Sequence, residues 1–138
     1  VLDAQLRSLP CERVRQGGAP TLYLHAPCVT APTLADAAFA AVPLAGRHLD
    51  LHAVLALLAD RGINEVHTEA GATLAGALVH QGLLDELLLY QAPTLLGEHG
   101  MPLLAGLGIT HMEGQRRLQV RDQRVVGEDL RLLLRPAP

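Results

Sequence analysis

Lysine and tryptophan are missing from this chain, and serine occurs once, at Ser8. Every basic side chain is therefore an arginine, which excludes Schiff-base and other lysine chemistry. A serine hydrolase is excluded as well, because Ser8 lies outside any GxSxG context. The aromatics are Tyr23, Phe39 and Tyr90, too few for a base-stacking nucleic-acid platform. A net charge of −3 gives no electrostatic case for nucleic acid or an anionic membrane. Cys11 and Cys28 form no CxxC pair and read as free thiols of a reducing cytoplasm. No apolar run reaches the roughly 20 residues of a membrane helix, and no signal-peptide pattern opens the sequence. Among the seven histidines, His48 and His52 are four apart, yet no third ligand stands at a usual spacing and HExxH is missing. No metal is expected.

What is present reads as one soluble, cytoplasmic α/β domain over residues 1–138. Hydrophobic residues make up 49% of the chain, mostly Leu and Ala, enough for a real core. The organising stretch is Ile63 to Gly97. Glu65 to Thr68 reads as a short strand, which Gly71 interrupts. Leu74, Ala75, Leu78 and Val79 then form one apolar helical face, and Gly82 fits the C′ position of that helix. Leu87 to Tyr90 is a continuous apolar run, the mark of a strand covered on both faces. Together these predict a right-handed βαβ unit. A glycine turn opening a helix leaves unpaired N–H groups at the positive end of the helix dipole, an arrangement suited to phosphate. Glu69 stands at the carboxyl end of its strand, where open α/β sheets bind ligands.

Elsewhere, Val1 and Leu2 read as the tail of a strand whose beginning is absent. Asp3 at its end is either a site residue or a turn-former, and Arg7 either meets an anion or is solvated surface. Thr21 to His25 is a predicted strand. If it runs parallel to the others, His25 and Thr30 fall near a ligand's ribose. Alanine-rich Thr33 to Ala41 predicts a short helix, and Ala41 to Leu44 a brief strand. Asp50 is a good N-cap for a helix with Leu51, Val54, Leu55 and Leu58 on one face, and Gly62 marks its stop. This alternation predicts a mainly parallel sheet with helices on its faces. Leu118 to Arg121 and Leu130 to Arg135, joined through Gly127, predict an antiparallel C-terminal hairpin. Asp85 and Glu86 read as structural residues at a strand's start.

Three motifs in order, Glu69-Ala70-Gly71-Ala72-Thr73-Leu74, Leu84-Asp85-Glu86-Leu87 and Ala92-Pro93-Thr94-Leu95-Leu96-Gly97, resemble the reductase domain of the bifunctional riboflavin-biosynthesis deaminase/reductase family. Val1 to Arg7 resembles that family's VLDSxLR segment, and Val126 to Leu130 its closing strand. The resemblance implies a dihydrofolate reductase-like three-layer α/β/α fold. It implies NADPH-dependent reduction of the ribosyl group of 5-amino-6-(5-phosphoribosylamino)uracil to ribityl. It also implies a homodimer and a deaminase domain in the same polypeptide. Carried over by the EAGxT match, Glu69 would bind substrate and Asp3 would line the pocket, and Arg7 is the candidate for an anionic group of the substrate. Ala4, Gly71, Ala72, Thr73, Leu74, Ala75, Gly76 and Ala77 hold the cofactor. Glu69 as a cap for the following helix is the other reading of that residue. Ala4 departs from the family's Ser, and Thr94 from its usual Lys. The family places a segment before the VLD strand, so the chain is expected to be N-terminally incomplete. Another dihydrofolate reductase-like oxidoreductase, or a noncatalytic nucleotide-binding fragment, are the alternatives. Neither a general acid nor a clamp for the cofactor's 2′-phosphate can be named.

Overall fold

The computed structural model describes residues 1–137, and the chain divides into two compact units, one of residues 1–66 and one beginning at His67. In the first, strand β1 (Thr21–His25) pairs in parallel with β2 (Ala37–Ala41), Thr21 opposite Ala37 and His25 opposite Ala41. On the other side of β1, Leu2 bridges Leu24 in parallel, with the Leu24 amide donating to Val1 O and the Asp3 amide to Leu24 O. Strands β3 (Leu44–Ala45) and β4 (His48–Leu49) make a minimal antiparallel pair. Helix α1 (Leu51–Asp60) follows. The core of this unit is Leu24, Val42, Leu49 and Val54, with Ala4, Leu22, Ala40 and Leu58 packed around it.

Segment 33–41 corrects a predicted helix: its second half is strand β2. Alanine's helix propensity is a weak local preference. It yields here to pairing along β1, and Phe39 stacks on Tyr23 with ring centroids 5.5 Å apart. Helix α1 matches its signals closely. The Asp50 carboxylate accepts from the amides of His52 and Ala53. At the other end Gly62 (φ +77°) donates to Ala59 O and Ile63 to Leu58 O, the paired bonds of a Schellman ending. Asp50→Ala is therefore expected to cost about 1 kcal/mol, read as a lower urea midpoint with an unchanged slope.

The second unit holds helix α2 (Ala72–His80) and an antiparallel sheet of order β5-β7-β6, built from β5 (Leu87–Gln91), β6 (Leu118–Val126) and β7 (Asp129–Pro136). Gly82 (φ +70°) ends α2 with the same Schellman bonds, its amide to Val79 O and that of Leu83 to Leu78 O. The hairpin forms as predicted. Gly127 and Glu128 make its two-residue turn with positive φ at Gly127, and a bulge interrupts the pairing at Arg121. Glu86 is structural, accepting from Arg135 Nε at 2.6 Å and so tying the start of β5 to β7.

Two predictions fail. Glu65 to Thr68 has no regular secondary structure and no strand partner among the described residues, and every residue of it is exposed. Without a partner strand, two β-favouring residues among polar neighbours cannot form a ladder. The βαβ unit therefore does not close. Leu87 to Tyr90 is not covered on both faces either: Leu88 and Tyr90 are 40% and 51% exposed, and the strand pairs antiparallel. Parallel pairing is confined to β1, so a mainly parallel sheet is replaced by a mixed set of short sheets.

Ion pairs set the acid behaviour. Asp36 is held below the ordinary carboxylate value by Arg15, whose Nε donates at 2.8 Å. Burial opposes the ionisation of Asp122, but Arg124 and Arg131 outweigh it and lower its pKa. Depressed folded-state values mean that this stabilisation is complete above the unfolded pKa and is lost as pH falls through the folded one. The urea midpoint is expected to stay level down to pH about 5 and to fall below about 4. Asp122→Asn should flatten that fall, and a parent midpoint unchanged at pH about 3 would contradict the assignment.

Candidate active site

The first group of sequence-assigned residues lies in the opening turn. Asp3 N–H is tied to β1, and the chain then folds back tightly, with the Leu6 amide donating to Asp3 O at 3.1 Å. The Asp3 carboxylate gathers its own loop. Oδ2 accepts from the amide and the hydroxyl of Ser8, both at 2.6 Å, and Oδ1 from the Gln5 amide at 3.3 Å. Burial raises the Asp3 pKa, but the Ser8 hydroxyl and the amides of Ser8, Arg7 and Gln5 outweigh it and hold the carboxyl below its ordinary value. Ala4 packs on the core, and its carbonyl accepts from the Ala26 amide. Arg7 projects into solvent with no ion pair among the described residues.

His25 is buried, and its Nδ1 donates to Ala26 O at 2.9 Å, so that nitrogen is committed to the backbone. Thr30 is exposed.

The second group surrounds the start of α2. Glu69 does not cap the helix: Gly71 occupies the N-cap position and no side chain bonds there. The Glu69 side chain is 87% exposed and pairs with His67, Nε2 to Oε1 at 3.3 Å. His67 was passed over in the sequence, although it stands only two residues before Glu69. The first helical bond runs from Ala75 N to Gly71 O. The amides of Ala72, Thr73 and Leu74 therefore have no backbone acceptor among the described residues. A Cβ built on Gly71 meets nothing within 4 Å, so no atom crowds that side of the helix start. That is the arrangement an approaching phosphate requires.

Gly76 has a different surrounding. A Cβ there would lie 1.8 Å from Ala105 O, because the 105 backbone crosses the helix at this point, with Ala105 N donating to Ala72 O at 3.0 Å. Its missing side chain admits a loop. Leu74, Ala75 and Ala77 are half-buried along the same helix, and Thr73 is exposed.

With this geometry in hand, comparison with known proteins is decisive about kinship. The RibD C-terminal domain matches residues 1–132. The chain belongs to the RibD C-terminal domain family. The riboflavin biosynthesis protein RibD of Escherichia coli (strain K12) is 33% identical over 134 residues, covering 97% of this chain and 36% of that protein. The 5-amino-6-(5-phosphoribosylamino)uracil reductase of Buchnera aphidicola subsp. Acyrthosiphon pisum (strain APS) is 32% identical over 90 residues, covering 65% of this chain and 44% of its own. The chain thus spans less than half the length of either curated relative. Among solved structures, the Saccharomyces cerevisiae riboflavin biosynthesis reductase Rib7 has a TM-score of 0.71, covering 95% of this chain and 62% of that one. At 16% identity this is a likeness of fold.

Within this RibD C-terminal domain, two hollows lie away from the sequence-assigned residues, towards the carboxyl end of α2. One, of about 250 Å³, is lined mainly by Val79, Leu84, Leu87, Leu104 and Leu107. The other, of about 370 Å³, is lined by residues including His80, His111, Glu113 and Arg116. Gly71 and His80 stand at opposite ends of the helix, roughly 13 Å apart at 1.5 Å per residue. The phosphate-binding reading therefore rests on an open helix start and not on an enclosed pocket. Among the described residues no three His, Cys, Asp or Glu side chains gather as a metal site, and no helix is long and apolar enough to cross a membrane.

Proposed function

We propose that this chain carries the NADPH-dependent reduction of 5-amino-6-(5-phosphoribosylamino)uracil to its ribitylamino product. The observation that carries the reading is that the family's EAGxT segment falls on the start of helix α2, which no side chain caps and where a Cβ on Gly71 would meet no neighbour. Membership of the RibD C-terminal domain family and a relative named for this reaction support it.

The residues present fit a nicotinamide dinucleotide. The amides of Ala72, Thr73 and Leu74 would hold a phosphate, assisted by the helix dipole, and Thr73 would add its hydroxyl. The remainder of the segment to Ala77 completes the set on this helix, with Gly76 serving by letting the 105 loop pack, and Ala4 is assigned to the cofactor from the family resemblance alone. When bound, the nicotinamide supplies hydride for the C1 carbon of the opened ribosyl imine, while the protein binds and orients. Glu69 is assigned to the substrate and has His67 as its neighbour; Arg7 and Asp3 are assigned to it as well, Arg7 towards an anionic group.

The remaining elements belong to the same proposal: a dihydrofolate reductase-like three-layer arrangement, one reductase domain over residues 1–138, a homodimer, a deaminase domain in the same polypeptide and a cytoplasmic setting. Titration with NADPH, followed by nicotinamide fluorescence, tests the reading. Saturable one-to-one binding is expected, and a folded chain that leaves the fluorescence unchanged would overturn it.

A further inference from the structure

Leu6 is the one non-glycine residue with positive φ among the described residues, +55°. A leucine in the left-handed region brings its Cβ too close to the following carbonyl oxygen, and such a conformation persists only where its surroundings over-determine it. Two features do so here. The Leu6 side chain is buried, 7% exposed, and cannot swing out without uncovering apolar surface. The residues on either side are clamped by the Asp3 carboxylate, which takes both the amide and the hydroxyl of Ser8 at 2.6 Å and the Gln5 amide at 3.3 Å. The clamp is anchored in turn, since Asp3 N–H donates to Leu24 O of β1.

This strain has a consequence for Arg7. Left-handed Leu6 reverses the chain, so that Leu6 is buried while its neighbour Arg7 stands in solvent, its guanidinium free of any carboxylate among the described residues. From this we infer that Ser8 is a positioning residue: through Asp3 it fixes the Leu6–Arg7 backbone and so presents the Arg7 guanidinium to the anionic group of the substrate. The inference rests on the proposed reading that Arg7 meets an anionic substrate. It also gives Asp3 its means of action. Both carboxylate oxygens already accept hydrogen bonds, so Asp3 serves the substrate through the turn.

The test is a double-mutant cycle on the full chain, with saturating NADPH and varied 5-amino-6-(5-phosphoribosylamino)uracil. Loss of the charge-assisted hydroxyl bond in Ser8→Ala is expected to raise KM about tenfold, with a smaller change in kcat. Ser8→Thr keeps the hydroxyl and should restore most of the affinity. Arg7→Gln should raise KM by itself, and adding Ser8→Ala to it should raise KM no further, because the two act as a unit. A merely structural Ser8 would instead give additive effects in the cycle, and that result overturns the inference. So does an unchanged KM in Ser8→Ala. No turnover in the parent, or an unchanged KM in Arg7→Gln, would overturn the reading beneath it, and the two failures are therefore told apart. Should Ser8→Ala not fold, Ser8→Cys keeps the size with a much weaker donor and carries the same cycle.

Discussion

Gly71→Asp is expected to weaken NADPH binding by roughly a hundredfold while leaving the chain as stable as the parent. The two halves of that result come from different physics. A side chain at Gly71 meets no neighbour within 4 Å, and φ of −69° suits any residue, so nothing in the fold resists the substitution. Asp ranks at least level with Gly at an N-cap and complements the helix dipole, which favours stability by a few tenths of a kcal/mol. The same carboxylate would occupy the space over the Ala72, Thr73 and Leu74 amides and face the cofactor's phosphates. Two like charges about 4 Å apart repel by about 1 kcal/mol in bulk water and about 4 kcal/mol near a protein surface. The middle of that range is the predicted loss. Gly71→Asn, similar in size but neutral, should lose much less. Parent-like binding by Gly71→Asp would remove phosphate from this helix start.

Gly76→Ala, five residues along the same helix, should behave in the opposite way, lowering stability by about 2 kcal/mol. Propensity alone would favour alanine by about 1 kcal/mol in a helix interior. Here the new methyl would sit 1.8 Å from Ala105 O and 2.9 Å from that residue's C and N. These are backbone atoms, and Ala105 N is itself bonded to Ala72 O, so the loop cannot give way cheaply. Overpacking of this kind costs about 1–3 kcal/mol and can cost more, which outweighs the propensity gain. A fall of about 8 °C in melting temperature is the expected readout. Gly97→Ala is the matching control, because its Cβ meets nothing within 4 Å. A Gly76→Ala chain as stable as the parent would contradict the close crossing of α2 by the 105 backbone.

These two glycines also mark the limit of what could be read from residues alone. Both fall in the segment assigned to the cofactor, Gly71 to Ala77, but a side chain at one would meet nothing and the other is covered by a loop about thirty residues on. Local signals were read well. Asp50 and Gly62 bound α1, and Gly127 turns the hairpin, because capping and turn chemistry act over a few residues. Nonlocal choices were not. Ala37–Ala41 is a strand because β1 offers it a partner, and Glu65 to Thr68 stays unpaired because no strand does. Buried on one face only, Leu87 to Tyr90 resembles a covered strand in sequence because Leu88 and Tyr90 are apolar too. For the candidate site, the motif is what points to Glu69 and the Gly71 segment. The Asp3–Ser8 clamp was not, since it depends on a left-handed leucine that no pattern announces.

The most direct test of the central claim is substrate-dependent oxidation of NADPH by this chain. Nicotinamide absorbance would be followed on addition of 5-amino-6-(5-phosphoribosylamino)uracil, with the product examined by mass spectrometry. The account predicts that absorbance falls only when substrate is added, and that the product is heavier by two hydrogens, with the ribosyl group converted to ribityl. A folded chain that binds NADPH but leaves both absorbance and substrate mass unchanged would contradict it.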